Sequence, residues 1–278
     1  MRSFHDKRAF VTGGASGIGL GIVKALAKRG AFIVIADLRP DHIDRALVEI
    51  REAGFASSVA ALTLDVTDRA GFAAVAERMD IELGGIDILV NNAGVGIEGP
   101  LLEAGYADWD YGFGVNLGGV VNSLQSFLPR MIAHGRGGHV VNVSSLAAAV
   151  RMPANFAIYA AGKAAVLNLS ENMREELAGK GIGISVLCPP FVRSNIHQAA
   201  LNRPAHLREG SEFQQREGAL LESLPGDDLM DAETVGEIVS EGILANRLYI
   251  VTHGEFRDKM RGRNEALMDA VPEAAFQY

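Results

Sequence analysis

The chain reads AFVTGGASGIG over residues 9–19, a short apolar run followed at once by a glycine-rich turn. The apolar run is typical of a buried strand. Residues 20–29 then predict a helix that Gly30 ends, and residues 32–36 predict a second buried strand that runs into Asp37. Strand, glycine turn, helix, strand and acidic residue follow one another within about 30 residues, which is the context of a dinucleotide-binding βαβ unit.

Each part of this unit has a physical use in holding a dinucleotide. Glycines permit the tight turn and let the backbone approach a pyrophosphate, while the helix N-terminus supplies unpaired N–H groups and the positive end of its dipole. A carboxylate at Asp37 can accept hydrogen bonds from ribose hydroxyls. A glycine triplet alone would indicate only a tight turn, so the prediction depends on the flanking elements.

The rest of the chain continues the alternation of strands and helices. Further strands are predicted over residues 59–64, 86–90, 139–143, 181–187 and 248–251. Further helices are predicted over residues 41–53, 70–82, 159–179, 231–245 and 255–270. Residues 106–134 predict a long helical region that is interrupted by Gly112, Gly114, Gly118 and Gly119. The sequence therefore predicts an α/β fold: one Rossmann-like domain over residues 1–278, with a doubly wound sheet of about seven parallel strands and helices on both faces.

Composition and charge limit the partners of this chain. The formal net charge of −8 argues against nucleic acid or an anionic membrane as the main partner. Cys188 is the only cysteine, which excludes an internal disulfide and a cysteine-based zinc site. The first residues lack the apolar core of a signal peptide, and no run of about 18 apolar residues occurs. We therefore expect a cytoplasmic protein without a membrane span.

Tyr159 and Lys163 lie four residues apart in the predicted 159–179 helix and therefore on one face of it. A free phenol titrates near pH ~10, too high for efficient proton transfer at neutral pH, and a nearby ammonium group lowers the phenol pKa. The pair is thus a candidate proton-transfer device. The alternative is a half-buried tyrosine beside a solvated lysine, because this spacing also arises by chance in helices.

The glycines at 13, 17 and 19 follow the pattern Thr-Gly-x-x-x-Gly-x-Gly. This pattern and Tyr159-x-x-x-Lys163 together resemble the short-chain dehydrogenase/reductase family. Four further segments match motifs of that family in the same order: Asp65-Val66, Asn91-Asn92-Ala93-Gly94, Val115-Asn116-Leu117 and Ser144-Ser145. The resemblance extends to Val251, and it implies the family's fold and hydride transfer between an alcohol and a nicotinamide dinucleotide.

Four catalytic residues are implied by the resemblance. Tyr159 would exchange the proton of the substrate hydroxyl, Ser145 would hold the substrate oxygen, and Lys163 would lower the pKa of Tyr159 and hold the nicotinamide ribose. Asn116 would complete a proton relay at a local helix distortion. From the residues alone, Asn116 could equally be a polar residue within a glycine-softened helix.

A larger set of cofactor contacts also follows from the resemblance. The implied residues are Gly13, Ser16, Gly17, Ile18, Gly19, Asp37, Leu38, Asp65, Val66, Asn92, Ala93, Gly94, Tyr159, Lys163, Pro189, Val192 and Ser194. Asn91, by contrast, is interpreted as a structural link between strands. The alternative for the segment after Asp65 is that Thr67 or Asp68 caps the next helix.

Asp37 favours NAD over NADP, because its carboxylate repels a 2′-phosphate on the ribose. Arg39, two residues on, could reach such a phosphate. NADP-preferring relatives often place a basic residue in the glycine turn or directly after the second strand, where this chain has Ala15, Ser16 and Leu38. We therefore expect NAD as the cofactor and NADP as the weaker alternative.

Three departures from the family pattern stand out. Ser145 lies 14 residues before Tyr159 instead of the usual 13, which indicates a one-residue insertion in the loop between them. Pro190 replaces the usual glycine after Pro189, and it removes a backbone N–H. The glycine-rich turn that helps form a tetramer interface in many relatives is missing from the end of the chain. A homo-oligomer is expected, but the sequence leaves dimer and tetramer open.

The substrate side is assigned to a polar lid over residues 194–228 and to a helical C-terminal extension over residues 253–278. An apolar pocket is expected from Leu146, Val150, Met152, Phe156, Phe191 and Phe213. Short segments, including Ser194-Asn195-Ile196 and Arg203-Pro204-Ala205, resemble bacterial Cα-dehydrogenases of lignin-derived aryl alcohols. No metal-ligand spacing occurs, so His197, His206 and His253 are interpreted as ordinary loop residues.

The leading hypothesis from the sequence is an NAD-dependent dehydrogenase of a hydrophobic or aromatic secondary alcohol. An NADPH-dependent carbonyl reductase is the alternative within the same class. A non-catalytic dinucleotide-sensing or scaffold protein on the same fold is the alternative from another class, and it would not require Ser145, Tyr159 and Lys163 together.

Overall fold

The computed structural model describes residues 1–198, 202–213 and 229–273. Seven parallel strands within these residues form one sheet in the order β3-β2-β1-β4-β5-β6-β7. The strands are β1 (Arg8–Thr12), β2 (Phe32–Asp37), β3 (Val59–Thr63), β4 (Ile88–Asn91), β5 (Gly138–Val143), β6 (Ile182–Cys188) and β7 (Tyr249–Val251). The predicted doubly wound parallel sheet of seven strands is therefore confirmed.

Helices cover both faces of the sheet, as predicted. They are α1 (Gly17–Lys28), α2 (Pro40–Glu52), α3 (Arg69–Leu83), α4 (Tyr106–Phe113), α5 (Gly119–Ala133), α6 (Ala157–Glu176), α7 (Ala232–Leu244) and α8 (Arg257–Met268). Val11 and Ile35 pack toward α1, α2 and α7 on one face. Their neighbours Phe10 and Val34 pack toward α3, α5 and α6 on the other face, because successive side chains of a strand point to opposite sides.

The strand order reverses direction between β1 and β4. From β1 the chain first adds β2 and β3 on one side and then returns to place β4 through β7 on the other. In parallel α/β sheets a crevice opens at such a point, outside the carboxyl ends of the strands. This geometry brings the glycine turn after β1 next to the Asn-Asn-Ala-Gly segment after β4.

The helical region predicted over residues 106–134, with glycines interrupting it, is confirmed as two helices. A π-helical segment, Gly114–Gly118, lies between α4 and α5. Such segments interrupt an α-helix by one wider turn and are frequent at functional sites. This interruption includes Asn116, where the family resemblance implied a helix distortion.

The C-terminal part of the chain projects from the domain core. None of the residues of α8 is buried, and α8 follows a contact between the rings of Phe256 and Phe191, whose centroids are 6.4 Å apart. Residues 199–201 and 214–228 of the expected lid, and residues 274–278 of the expected extension, lie outside the described residues. Within the described part of the chain, no helix is long and apolar enough to cross a membrane.

Helices α1 and α7 cross with their backbones in contact. A Cβ added to Gly21 would overlap the carbonyl oxygen of Ala232, and one added to Gly236 would overlap that of Gly21. Two glycines facing each other allow this close approach, which lets α7 cover the same face of the sheet as α1.

We expect Gly21→Ala to lower the free energy of unfolding by about 1–3 kcal/mol, because the added methyl group forces the two helices apart. Denaturant-induced unfolding measures this change. Gly262→Ala is the matched control, since a Cβ at Gly262 on α8 meets nothing within 4 Å. Equal stabilities of the two variants would contradict the close contact.

Candidate active site

A cavity of about 550 Å³ lies at the carboxyl ends of the strands, at the reversal point between β1 and β4. Most of the residues proposed from the sequence for cofactor binding line it: Gly13, Ser16, Gly17, Ile18, Asp37, Leu38, Asp65, Val66, Asn92, Ala93, Gly94, Tyr159, Lys163, Pro189, Val192 and Ser194. Gly19 does not line the cavity. It lies behind the turn, where a Cβ would overlap the Gly13 carbonyl oxygen.

Asn92 ties the glycine turn to the end of β4. Its Nδ2 donates to the carbonyl oxygens of Thr12, at 3.0 Å, and of Gly13, at 2.9 Å. Gly13 has a φ of +60°, a conformation that favours glycine, and a Cβ there would come within 2.9 Å of the Ala93 Cα. Hydrogen bonds and close packing within the chain therefore hold the glycine turn in place.

The N-terminus of α1 points its first backbone N–H groups toward this cavity. Ser16 is the N-cap residue and its side chain makes no capping bond within the described chain; the first turn carries no acidic residue. Gly17 has a φ of +49°, and a Cβ there would come within 2.8 Å of the Ser194 Cβ. The backbone N–H groups at a helix N-terminus and the positive end of the helix dipole fit a pyrophosphate group.

Asp37 is held in a fixed orientation at the end of β2. Its Oδ2 accepts a hydrogen bond from the Ala15 backbone N–H at 3.2 Å, and its Oδ1 accepts one from the Arg39 N–H at 3.1 Å. The Arg39 guanidinium turns to Asp41, with Nε 2.8 Å from Oδ1. It also lies 3.4 Å from the Asn202 Oδ1.

Asp65 folds back on its own turn. Its Oδ1 accepts hydrogen bonds from the Thr67 N–H at 2.8 Å and from the Thr67 hydroxyl at 2.7 Å. Asp68 occupies the N-cap position of α3, but its side chain makes no capping bond in the described residues. The turn formed by Asp65 and Thr67, and not a side-chain cap on α3, therefore forms this edge of the cavity. Val66 and Thr67 also line the cavity.

A chain of buried hydrogen bonds places α6 against the sheet. The Asn91 Nδ2 donates to the Asn142 Oδ1 at 2.8 Å, and the Asn142 Nδ2 donates to the Ser170 hydroxyl at 2.9 Å. The Ser144 hydroxyl donates to the Lys163 carbonyl oxygen at 2.7 Å. Asn91 thus links β4 to β5, as interpreted from the sequence, and the same network positions the helix that carries Tyr159 and Lys163.

Lys163 is almost completely buried, with 3% of its surface exposed. Its Nζ donates to the Val143 carbonyl oxygen at 3.0 Å and lies 5.8 Å from the centroid of the Tyr159 ring. Burial lowers the pKa of Lys163 to about 8. A Cβ on Gly94 would come within 3.2 Å of this Nζ, so glycine leaves the space that the lysine occupies.

Tyr159 has a raised pKa, opposite to the lowering expected from the sequence. Burial raises the pKa of its phenol, and a hydrogen bond with Ser145 opposes the rise. The expectation rested on the Lys163 ammonium, which here is directed at the Val143 carbonyl and not at the phenol oxygen. Desolvation of the phenolate therefore outweighs the hydrogen bond with Ser145.

Ser145 lies where β5 ends, beside Tyr159. Its hydroxyl accepts a hydrogen bond from the Ala147 N–H at 3.1 Å and donates to the Pro189 carbonyl oxygen at 3.4 Å. That carbonyl also accepts the Leu146 N–H at 3.0 Å. Pro189, which precedes the departing residue Pro190, thus binds the serine through its carbonyl oxygen.

The side chain of Asn116 pairs with both backbone groups of Val95. Its Nδ2 donates to the Val95 carbonyl oxygen, and its Oδ1 accepts the Val95 N–H, both at 2.9 Å. The residue is 1% exposed, and a Cβ on Gly94 would lie 3.0 Å from its Oδ1. Asn116 and Lys163 therefore pack on the same glycine from two sides.

The predicted apolar pocket is largely wrong. Of the six residues proposed for it, only Phe191 lines the cavity, while Leu146, Val150 and Phe213 are buried in packing. Met152 and Phe156, both among the described residues, lie outside the lining. Hydrophobicity alone does not separate a residue that packs inward from one that faces a cavity.

Two cavity residues on α4, Asp110 and Tyr111, had no signal in the sequence. The segment after β6, which was assigned to the substrate side, adds Asn195, Ile196, Asn202, Pro204, His206 and Leu207, although the sequence did not single out these residues for the cavity. Their approach to the cavity depends on tertiary packing between distant segments. Among residues 1–198, 202–213 and 229–273, no cluster of three or more metal-ligating side chains occurs.

Comparisons with known proteins show what this chain is similar to. The family model described as short chain dehydrogenase matches residues 7–204. A C alpha-dehydrogenase of Sphingobium sp. strain SYK-6 is 38% identical, over 100% of this chain and 92% of the relative.

Two solved structures share both fold and sequence similarity. A short chain dehydrogenase/reductase from Burkholderia phymatum, in complex with NAD, has a TM-score of 0.89 and 32% identity over 100% of both chains. The apo form of LigD from Sphingobium sp. strain SYK-6 has a TM-score of 0.80 and 34% identity over 98% of this chain and 100% of that one.

Removal of the Ser145 hydroxyl is expected to raise the pKa of Tyr159 further, because the hydrogen bond that opposes the burial effect is lost. Ultraviolet difference titration measures this pKa, with the Tyr159→Phe protein as the reference in each background. Ser240→Ala, at a buried serine on α7 that bonds the Glu237 carbonyl, is the control. An unchanged phenol titration in Ser145→Ala would contradict the contact.

Proposed function

Because this chain belongs to the short-chain dehydrogenase family, we propose that it oxidises a hydrophobic or aromatic secondary alcohol to a ketone with NAD. The observation that carries the proposal is the meeting of Ser145, Tyr159 and a buried Lys163 beside a turn suited to a pyrophosphate. When bound, the nicotinamide supplies the acceptor for the hydride of the alcohol carbon. Residues of the chain supply the general base, the hydrogen bond to the substrate oxygen and the route for the proton.

Tyr159 is the general base of the proposed reaction. In its phenolate form it accepts the proton of the substrate hydroxyl, while the Ser145 hydroxyl donates to the same substrate oxygen and stabilises its developing negative charge. Both groups serve in reverse during ketone reduction. Because burial raises the pKa of Tyr159, alcohol oxidation should speed up as pH rises through the neutral range.

Lys163 and Asn116 assist Tyr159 in the proposed proton transfer. The protonated Lys163 stabilises the phenolate and donates to a ribose hydroxyl of the dinucleotide. Asn116, which packs with Lys163 on Gly94, keeps the π-helical segment in place and completes the route by which the proton leaves. A pKa of about 8 for Lys163 suits a group that passes a proton on at neutral pH.

The choice of NAD over NADP rests on Asp37. Its carboxylate is fixed by two backbone N–H groups and lines the cavity, so a 2′-phosphate would meet a buried negative charge. Arg39 supports the same choice, because its guanidinium is already engaged by Asp41. The likeness to an NAD complex adds support.

The substrate class is proposed from the relative named C alpha-dehydrogenase and from the substrate side of the cavity. Tyr111, Leu207 and Phe191 present ring and aliphatic surface there. Such surface favours a hydrophobic alcohol over a sugar. We also propose that the chain forms one NAD-binding domain and assembles as a homodimer or homotetramer, on the strength of the family resemblance.

An NADPH-dependent carbonyl reductase remains the second candidate, favoured by the cavity position of Arg39. Release of Arg39 from Asp41 would give a 2′-phosphate a cationic partner. A non-catalytic dinucleotide sensor finds less support, because Ser145, Tyr159 and Lys163 are all positioned for chemistry.

A panel of secondary alcohols that includes aryl carbinols should give NADH formation with the wild-type protein. Tyr159→Phe should lower kcat by at least about 100-fold, since general-base catalysis is lost while the ring remains. Absorbance of NADH measures the rate, and binding of NADH to the variant controls for folding. A Tyr159→Phe protein with full turnover would refute the mechanism.

Asp37→Asn should shift the preference between cofactors toward NADP by at least about tenfold, because a like-charge contact is removed and the side-chain shape is kept. The ratio of kcat/KM for the two cofactors measures the shift. Asp65→Asn is the matched control, an acidic residue of the same cavity whose carboxylate turns to Thr67. A ratio that stays constant in Asp37→Asn would remove Asp37 from the choice of cofactor.

A further inference from the structure

Arg203 and Asp108 form an ion pair in the protein interior. The Nη2 of Arg203 lies 3.1 Å from the Oδ1 of Asp108, and neither side chain is exposed to solvent. Arg203 belongs to the segment after β6, whereas Asp108 lies on α4, 95 positions earlier in the chain. The pair therefore joins two distant parts of the sequence. It does not line the cavity.

A buried ion pair persists only where its geometry and additional hydrogen bonds compensate for the loss of water. Asp108 meets this condition, because its Oδ2 accepts the backbone N–H groups of Gly105, at 3.0 Å, and of Glu212, at 3.2 Å. Its Oδ1 accepts the Ser211 hydroxyl at 2.6 Å. One carboxylate thus holds both ends of the segment formed by residues 203–212.

Arg203 contacts both α4 and the middle of the 203–212 segment. Its Nη1 donates to the carbonyl oxygens of Ala107, at 3.3 Å, and of Leu207, at 3.4 Å. Its guanidinium carbon lies 4.6 Å from the centroid of the Tyr111 ring. A planar guanidinium is suited to bind a carboxylate and two carbonyls while it stacks on a ring, and an ammonium group is not.

The residues fixed in this way form the substrate-facing wall of the cavity. Tyr111 lines the cavity from α4, and Pro204, His206 and Leu207 line it from the 203–212 segment. Phe213, directly after that segment, is buried against Gly99, where an added Cβ would overlap its ring. Neither Arg203 nor Asp108 lines the cavity. Both residues, however, hold the two elements whose side chains do line it.

We propose that Arg203, through Asp108 and Tyr111, is a positioning residue that fixes the substrate wall and so sets which alcohols bind. This inference rests on the proposed function, because it assigns specificity to the same site. The dinucleotide side of the cavity is built on the glycine turn, β2 and β4, whose hydrogen bonds from Asn92 and to Asp37 involve neither Arg203 nor Asp108. Loss of the pair should therefore change substrate binding and leave NAD binding intact.

The test compares the wild-type protein with Arg203→Lys and Ser211→Ala, each loaded with NAD. Arg203→Lys keeps the charge but loses the planar donor set, and Ser211→Ala removes one hydrogen bond to Asp108 without leaving a buried charge unpaired. Ile243→Ala is the control, since it creates a cavity in the core under α7, remote from the site.

Arg203→Lys is expected to raise the KM of the preferred alcohol by about tenfold or more, with kcat and the Kd for NAD within about twofold of wild type. The ratio of kcat/KM between bulky and small alcohols should fall toward one. Ser211→Ala should change the same quantities in the same direction but less. Ile243→Ala should lower Tm and leave KM and that ratio unchanged.

Hydrogen exchange of the NAD-loaded protein gives a readout that requires no substrate. Amides of residues 203–212 should exchange at least about tenfold faster in Arg203→Lys, with those of the glycine turn unchanged. Unchanged exchange in this segment, or a KM that stays constant, would overturn the inference. If no alcohol is oxidised by the wild-type protein, the proposed function fails and the exchange result alone decides whether the ion pair holds the wall.

Discussion

The burial of the Lys163 ammonium is the constraint on which much of the site depends. An amine with 3% of its surface exposed requires a fixed acceptor, and the Val143 carbonyl at the end of β5 provides one. The hydrogen bond from Ser144 to the Lys163 carbonyl holds the same turn of α6. Gly94 leaves room for the amine on one side and for Asn116 on the other. The π-helical segment, the Asn-Asn-Ala-Gly segment and α6 thus meet around one charged group.

The two sides of the cavity are built in different ways. The dinucleotide side consists of backbone at the ends of strands, held by the bonds from Asn92 to the glycine turn and from the turn to Asp37. The substrate side is assembled from α4 and a segment that follows β6, joined by the buried pair of Asp108 and Arg203. The first side follows from the parallel sheet, whereas the second depends on an ion pair between side chains.

The sequence predicted those features that depend on neighbouring residues. Strands of buried apolar residues, the turn over Gly13 to Gly19 and the spacing of Tyr159 and Lys163 are local patterns, and the observed sheet and cavity agree with them. The interruption of the helical region over residues 106–134 was expected from its glycines, but the partner of Asn116 was not, because Val95 lies 21 positions away. Local helix propensity carries no information about such a partner.

What the sequence determined by itself is the family, the fold class and the identity of the groups that meet at the strand ends, since parallel strands bring their carboxyl ends to one edge whatever else the chain does. Only the tertiary structure decided the pKa shifts of these groups and the residues that form the substrate wall opposite them. The pKa of Tyr159 is raised because desolvation, which depends on every residue packed around the ring, outweighs the hydrogen bond with Ser145. The substrate wall is formed by Tyr111 and Leu207 and not by most of the expected apolar residues, because a buried ion pair between distant segments determines which side chains face the cavity.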